Sequence, residues 1–195
     1  MRILAIVSLV IFILPSLAEA QDPSAEVFGG YSYFRATEDD GANLNGWNAS
    51  VAANANSWIG VVMDVSGHYG NRSALVQGPA GQLASVDADA KLHNFLVGPR
   101  VSLRALPMVT PFVHGLFGVS WAKVNGSATF GATTVELSET ENAFALGFGG
   151  GLDATLLGGV ALRLVQVDYI QTQFGDGTQD NVRVSFGIVA RFGSQ

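Results

Sequence analysis

After residue 20, apolar residues recur at every second position in eight separate segments and never in a run long enough for a membrane helix. A helix crossing a bilayer needs about 20 consecutive apolar residues. A period of two is that of a β-strand, whose successive side chains point to opposite faces. One face of each segment is bulky and apolar. The other is built largely of Gly, Ala, Ser, Asn, Asp and Arg. Composition agrees with that division. Hydrophobic residues make up 48% of the chain and charged residues 13%, with 24 glycines; a soluble domain averages about 25% charged. Low charge with alternating apolarity suits a sheet with lipid on one side and a tight polar interior on the other.

The segments are legible one by one. Residues 26–34 set Val27, Gly29, Tyr31 and Tyr33 against Glu26, Phe28, Gly30, Ser32 and Phe34. Residues 46–53 set Trp47, Ala49 and Val51 against Asn48 and Ser50. Residues 59–69 place Ile59, Val61, Met63, Val65 and Tyr69 outward, with Val62, Asp64, Ser66 and His68 inward. In the fourth segment Phe95, Val97, Pro99 and Val101 face out, and Leu96, Arg100, Ser102 and Arg104 face in. The fifth sets Val113, Phe117 and Trp121 against Phe112, His114 and Ser120. The sixth sets Phe144, Leu146 and Phe148 against Ala145, a row of glycines and Asp153. The seventh, 160–170, changes parity near Val165, and a β-bulge there would turn both Arg163 and Asp168 inward. The eighth places Val184, Phe186 and Ile188 outward, and Arg183, Ser185 and Arg191 inward. Pro99 lies mid-strand, where proline removes a ladder donor; a local bulge or shifted register is expected there.

Three short connections and four long polar ones join these segments. Tight turns on one side and long loops on the other are the habit of outer-membrane barrels. The long loops are expected around 35–45, 70–90, 124–141 and 172–181. An even number of strands puts both ends of the mature chain on the periplasmic side. The first twenty residues read as a secretory signal: Arg2, then an apolar stretch from Ile3 to Leu14, then Ala18-Glu19-Ala20 as a cleavage site. The expected organisation is a cleaved leader, 1–20, and one barrel domain, 21–195. There is no cysteine, so no disulfide framework. The net charge of −6 gives no support to nucleic-acid binding.

A backbone in lipid must satisfy every N–H and C=O internally, so a membrane-spanning sheet has to close. A soluble eight-stranded barrel would be polar outside and apolar inside, the reverse of this pattern. The fold expected is therefore all-β, a closed eight-stranded antiparallel up-and-down transmembrane barrel. Residues 27–33 (VFGGYSY), 97–101 (VGPRV), 111–115 (PFVHG), 166–169 (QVDY) and 182–193 resemble the stand-alone OmpA-like outer-membrane β-barrel family. The resemblance covers essentially the whole mature chain and identifies a barrel, not an activity. It implies residence in the bacterial outer membrane, contact with its lipid, and insertion by the outer-membrane assembly machinery, which reads an aromatic-ended last strand. Here Phe192 is followed by Gly193-Ser194-Gln195, a small departure from that ending. The peptidoglycan-binding domain of larger relatives is absent from the sequence.

The residues with most to say about chemistry are charges at inward positions. Glu26, Asp64, His68, Arg100, Arg104, Asp153, Arg163, Asp168, Arg183 and Arg191 form a candidate lumenal network, since charges in a narrow barrel must be paired. Such a network can act as a structural plug, or as a gate if pairs exchange. Asp64, Ser66 and His68 are the best candidates for a lipid-modifying site, but a row along one strand spans roughly 13 Å and makes no relay by itself. Most acidic residues, among them Glu38, Asp39, Asp40, Asp87, Asp89, Glu136, Glu139, Glu141, Asp176 and Asp180, fall in the long loops and read as solvated charge. No catalytic, cofactor or metal motif is present, and no loop partner is indicated. The favoured reading is a non-enzymatic barrel with a structural or surface-interaction role. The alternatives are a narrow porin-like channel and a lipid-modifying enzyme.

Overall fold

The computed structural model describes residues 23–37, 43–77, 83–106, 108–130, 133–157, 159–174 and 177–193. The proposed leader lies outside them, as do Glu38, Asp39, Asp40 and Asp176. Eight strands follow one another: β1 (Ala25–Ala36), β2 (Asn43–Asn54), β3 (Ile59–Gln77), β4 (Leu83–Ser102), β5 (Val109–Phe130), β6 (Thr133–Leu157), β7 (Val160–Phe174) and β8 (Gly177–Phe192). Each pairs antiparallel with its neighbours, and β1 pairs with β8, so the sheet is a closed barrel.

The stagger of the ladder sets the barrel's dimensions. Val27 stands opposite Val51, then in turn Met63, Val97, Phe117, Leu146, Gln171 and Asp180. The Asp180 carbonyl accepts from Thr37 N–H at 3.0 Å, ten residues along the chain from Val27. Eight strands with that stagger tilt by about 40° and enclose a backbone radius of about 8 Å. Side chains alone can fill so narrow a lumen. Inward and outward faces alternate as the sequence predicts: Val61, Met63, Leu146 and Ile188 are exposed, while Asp64, Arg100 and Arg183 are buried.

Aromatic residues mark two levels on the outside. Tyr31, Trp47, Tyr69, Trp121 and Tyr169 are each 41–46% exposed, towards the loop end of their strands. Tyr31 donates from its hydroxyl to Asn45 Oδ1, and Tyr33 to Asn43 Oδ1 at 2.7 Å. Trp58 at the β2–β3 turn and Phe192 at the end of β8 stand at the opposite end. Register and tilt separate the two sets by roughly 23 Å along the axis, against an apolar band about 25 Å tall in such barrels.

Three expectations need correction. The region 70–90 is mostly strand, with Gly70 opposite Ala90 and the ladder running on to Gln77 opposite Leu83. Likewise 124–141 is paired up to Phe130 opposite Thr133, and 172–181 up to Phe174 opposite Gly177. The sequence concealed this because alternation signals lipid, not strand. Beyond the membrane both faces meet water, and the first ten residues of β6 are all exposed. Thr155–Leu157 also belong to β6 rather than to the short connection before β7, and Gly159 takes φ 79°. Pro99 causes neither bulge nor slip: Val61 opposite Pro99 keeps the β3–β4 register. On the other side the ladder lapses between Val97–Phe117 and Arg100–His114 and resumes unshifted.

Strand β7 does carry the extra residue. Leu152 faces Val165 and Asp153 faces Arg163, while across the barrel seam the β8 register shifts between Arg163 and Gln166. Leu164 and Val165 both point out, and Arg163, Gln166 and Asp168 all point in.

Met63 sits near mid-height on the lipid face. Met63→Arg is expected to cost about 2–4 kcal/mol, the depth-dependent cost of a cation in the apolar band. Reversible urea unfolding in a bilayer would read it, and the same change at Leu137 in the water-exposed part of β6 should cost far less.

Candidate functional site

The lumen is built in tiers. At the loop end Phe34, Leu44, Leu92, Leu96, Leu116 and Ile170 form a buried apolar cluster. His68 stacks against Phe34 with ring centroids 5.0 Å apart, and its Nε2 lies 2.9 Å from Ser32 Oγ.

Below this cap, Arg183 is the centre of the next tier. Its Nε and Nη2 donate to Asp168 at 2.9 and 2.7 Å, and its Nη1 donates to Asp64 at 2.7 Å and to Ser66 at 3.0 Å. Asp168 also accepts from Gln166 at 2.8 Å and meets His114 Nε2 at 2.7 Å. Asp64 accepts from Asn48 at 2.8 Å. All of these groups are buried. The two carboxylates therefore hold one guanidinium from opposite walls, β3 and β7.

Arg163 carries the network on towards the turn end. It grips Asp153 with two bonds at 2.8 and 3.1 Å and donates to Gln166 at 2.6 Å. Its guanidinium lies 4.2 Å from the Phe28 ring centre and 4.4 Å from that of Phe112. Arg100 lies 4.2 Å from the Phe112 centre, 2.8 Å from Glu26 and 3.5 Å from Asp153. At the mouth, Arg191 bonds Glu26, Thr155 and Thr110 at 3.0–3.2 Å. Arg104 donates to the Ser57 carbonyl at 2.7 Å and lies 3.3 Å from Glu26.

Nine of the ten predicted charges thus gather into one contiguous assembly. His68 sits apart, in the apolar tier. Sequence reasoning left His114, Gln166, Asn48, Phe28 and Phe112 out of the network, although strand parity already turned every one of them inward. The inward leucines and Phe34 are the cap that closes the loop end of this polar lumen.

Asp64, Ser66 and His68 do not form a relay. Ser66 Oγ accepts from Arg183 and Asn94, whereas His68 turns to Ser32. All three are buried in the lumen, away from any lipid. Among the described residues no group of three or more His, Asp or Glu is placed to hold a metal ion. Asp87, Asp89 and Glu136 line a shallow depression in the part of the sheet that stands beyond the membrane, alongside Asn125, Ser127 and Ser138.

A buried ion pair roughly offsets its own desolvation, but losing one partner strands the other, at about 3–5 kcal/mol. Asp168→Asn and Arg183→Gln should each cost in that range. In the double variant the costs should fall short of additivity by roughly 0.5–3 kcal/mol. Additive losses in urea unfolding would show that the pair does not carry the coupling.

Comparison with known proteins agrees with this architecture. The chain matches the outer membrane protein beta-barrel domain over residues 4–192. Among solved structures it is similar to Ail, the attachment invasion locus protein of Yersinia pestis, solved with the heparin analogue sucrose octasulfate. That match has a TM-score of 0.59 and 18% identity, over 85% of this chain and 97% of Ail. It is also similar to Neisserial surface protein A, with a TM-score of 0.56 and 11% identity over 87% of this chain and 97% of that one. No curated protein matches it in sequence. Identities this low speak for the fold alone, but the domain match spans nearly the whole chain, and the chain belongs to the outer-membrane β-barrel protein family of bacteria.

Proposed function

We propose that this barrel works at its loop end, as a non-conducting and non-enzymatic anchor that holds an interaction surface above the outer membrane. In this reading the first twenty residues are an export signal, both mature termini are periplasmic, and the assembly machinery inserts the chain from that side. The observation that carries the reading is the unequal length of the strands. β3, β4, β5 and β6 continue well past the aromatic level, and β3 alone runs on from Tyr69 to Gln77. That is a rise of roughly 20 Å at the barrel's tilt. β1, β2, β7 and β8 stop near the rim.

The result is a four-stranded wall standing on a plugged barrel. Its outer strands have open edges among the described residues: β3 beyond Tyr69, where β2 pairing ends, and β6 before Phe144, where β7 pairing ends. An open edge offers unpaired N–H and C=O groups to a partner. The wall carries Asp87, Asp89, Glu136, Glu139 and Glu141 against Arg72, Lys91 and Lys123. That balance opposes binding of a sulfated polyanion such as the heparin analogue held by Ail.

Two measurements test this together. In planar bilayers the refolded protein should show no stepwise current. Replacing 71–88 and 126–138 with tight Asn-Gly turns should leave folding and insertion intact but abolish any adhesion or aggregation the protein confers on cells. Stepwise conductance would favour the channel reading, and undiminished adhesion without the wall would remove its proposed role.

A further inference from the structure

The turn end of the lumen carries more guanidinium than carboxylate. Arg100, Arg104, Arg163 and Arg191 converge there on Glu26 and Asp153. Arg163 and Arg191 are saturated by the bonds given above. Arg100 and Arg104 are not. Nε and Nη2 of both are buried and have no hydrogen-bond acceptor, although each Nη2 lies within 3.5 Å of a carboxylate oxygen. The two residues stand on the same inward row, with Ser102 between them, and all three are less than a tenth exposed in their side chains or overall.

Glu26 Oε2, 2.8 Å from Arg100 Nη1, also lacks a hydrogen bond, but four guanidiniums face only two carboxylates here, and Arg100 and Arg104 are the ones left with unbonded nitrogens in this lumen. Arg104 also borders open space, although its Nε and Nη2 are themselves buried. Arg104 and Ser102 line a cavity of about 210 Å³ together with Ser57, Trp58, Leu103 and Ala105. Its lip is made by Trp58 and Leu103, 67% and 51% exposed on the outer surface. The cavity thus joins a cationic interior to the lower aromatic level.

From this arrangement we infer that the turn-end mouth is a binding site for a phosphate-type oxyanion, held by Arg104 with Ser102 and Ser57 beside it and the charge of Arg100 buried behind it. Planar guanidinium forks match tetrahedral and planar oxyanions bidentately, and such charge-assisted bonds are the strong ones. The ligand group could arrive as free phosphate or as the headgroup of an anionic phospholipid at the membrane interface. Its placement on the periplasmic side rests on the orientation proposed above, but binding itself does not.

The test uses the whole refolded mature protein. Calorimetric titration with inorganic phosphate, against chloride at equal ionic strength, is paired with native mass spectrometry of protein released from phosphatidylglycerol and phosphatidylcholine nanodiscs. Either saturable phosphate binding or retention of phosphatidylglycerol over phosphatidylcholine supports the site, and which one occurs identifies the source. Arg104→Gln should weaken that signal at least tenfold and Arg104→Lys should retain part of it. Because loss of Arg104 could also disturb folding, Ser102→Asp is the decisive variant. It supplies an acceptor from within, so it should raise the melting temperature while abolishing binding. If neither ligand is preferred, or if Ser102→Asp binds as well as the unaltered protein, the donors serve only the internal network and the inference is overturned. A lipid retained from the wrong side of an oriented membrane would refute the proposed orientation while leaving the site standing.

Discussion

Closure of the backbone ladder is the constraint on which everything else in this molecule rests. In hydrocarbon an unpaired N–H or C=O has no solvent to turn to, so β1 must find β8. Once eight strands close with a ten-residue stagger, the radius is fixed, and with it the volume of the lumen. The inward side chains then have to fill that volume and satisfy one another without help from water.

This explains why the interior is neither an apolar core nor an open pore. Arginine suits the task because its length crosses the lumen and its fork bonds two walls at once. Arg183 ties β8 to β3 and β7 in this way. Arg163 does a second job with its flat face, packing against Phe28 and Phe112. A guanidinium over an aromatic ring is paired on its edge and packed on its plane, so no space is wasted. The apolar tier above needs no such devices, and it seals the loop end with leucine, isoleucine and phenylalanine.

How much of this was legible follows from what each signal reports. Alternation reports the contrast between lipid and lumen, so it gave strand identity and facing wherever that contrast exists, from Val61 on β3 to Ile188 on β8. It vanished where the contrast vanished. The first ten residues of β6 have water on both faces and read as loop, though they are paired throughout. Pro99 shows a different limit: the missing donor is absorbed by a lapse in the β4–β5 ladder, with no change in register. Parity also revealed which charges turn inward, but not which pair with which. That depends on depth, and depth depends on the stagger, which no single segment records.

The glycines of β6 are the other half of the arginine argument. A side chain at Gly149 would occupy the space of the Asp168 carboxylate and the β7 backbone, and one at Gly151 that of the Phe112 ring. The wall of small residues is therefore the mould into which the large groups of β5 and β7 are cast. The bulge at Leu164 and Val165 belongs to the same fit. Without the extra residue, parity would carry either Arg163 or Asp168 to the lipid face. With it, Arg163 meets Asp153 on β6 while Asp168, five positions on, reaches Arg183 on β8. One irregularity in a strand thus makes one continuous network out of two tiers.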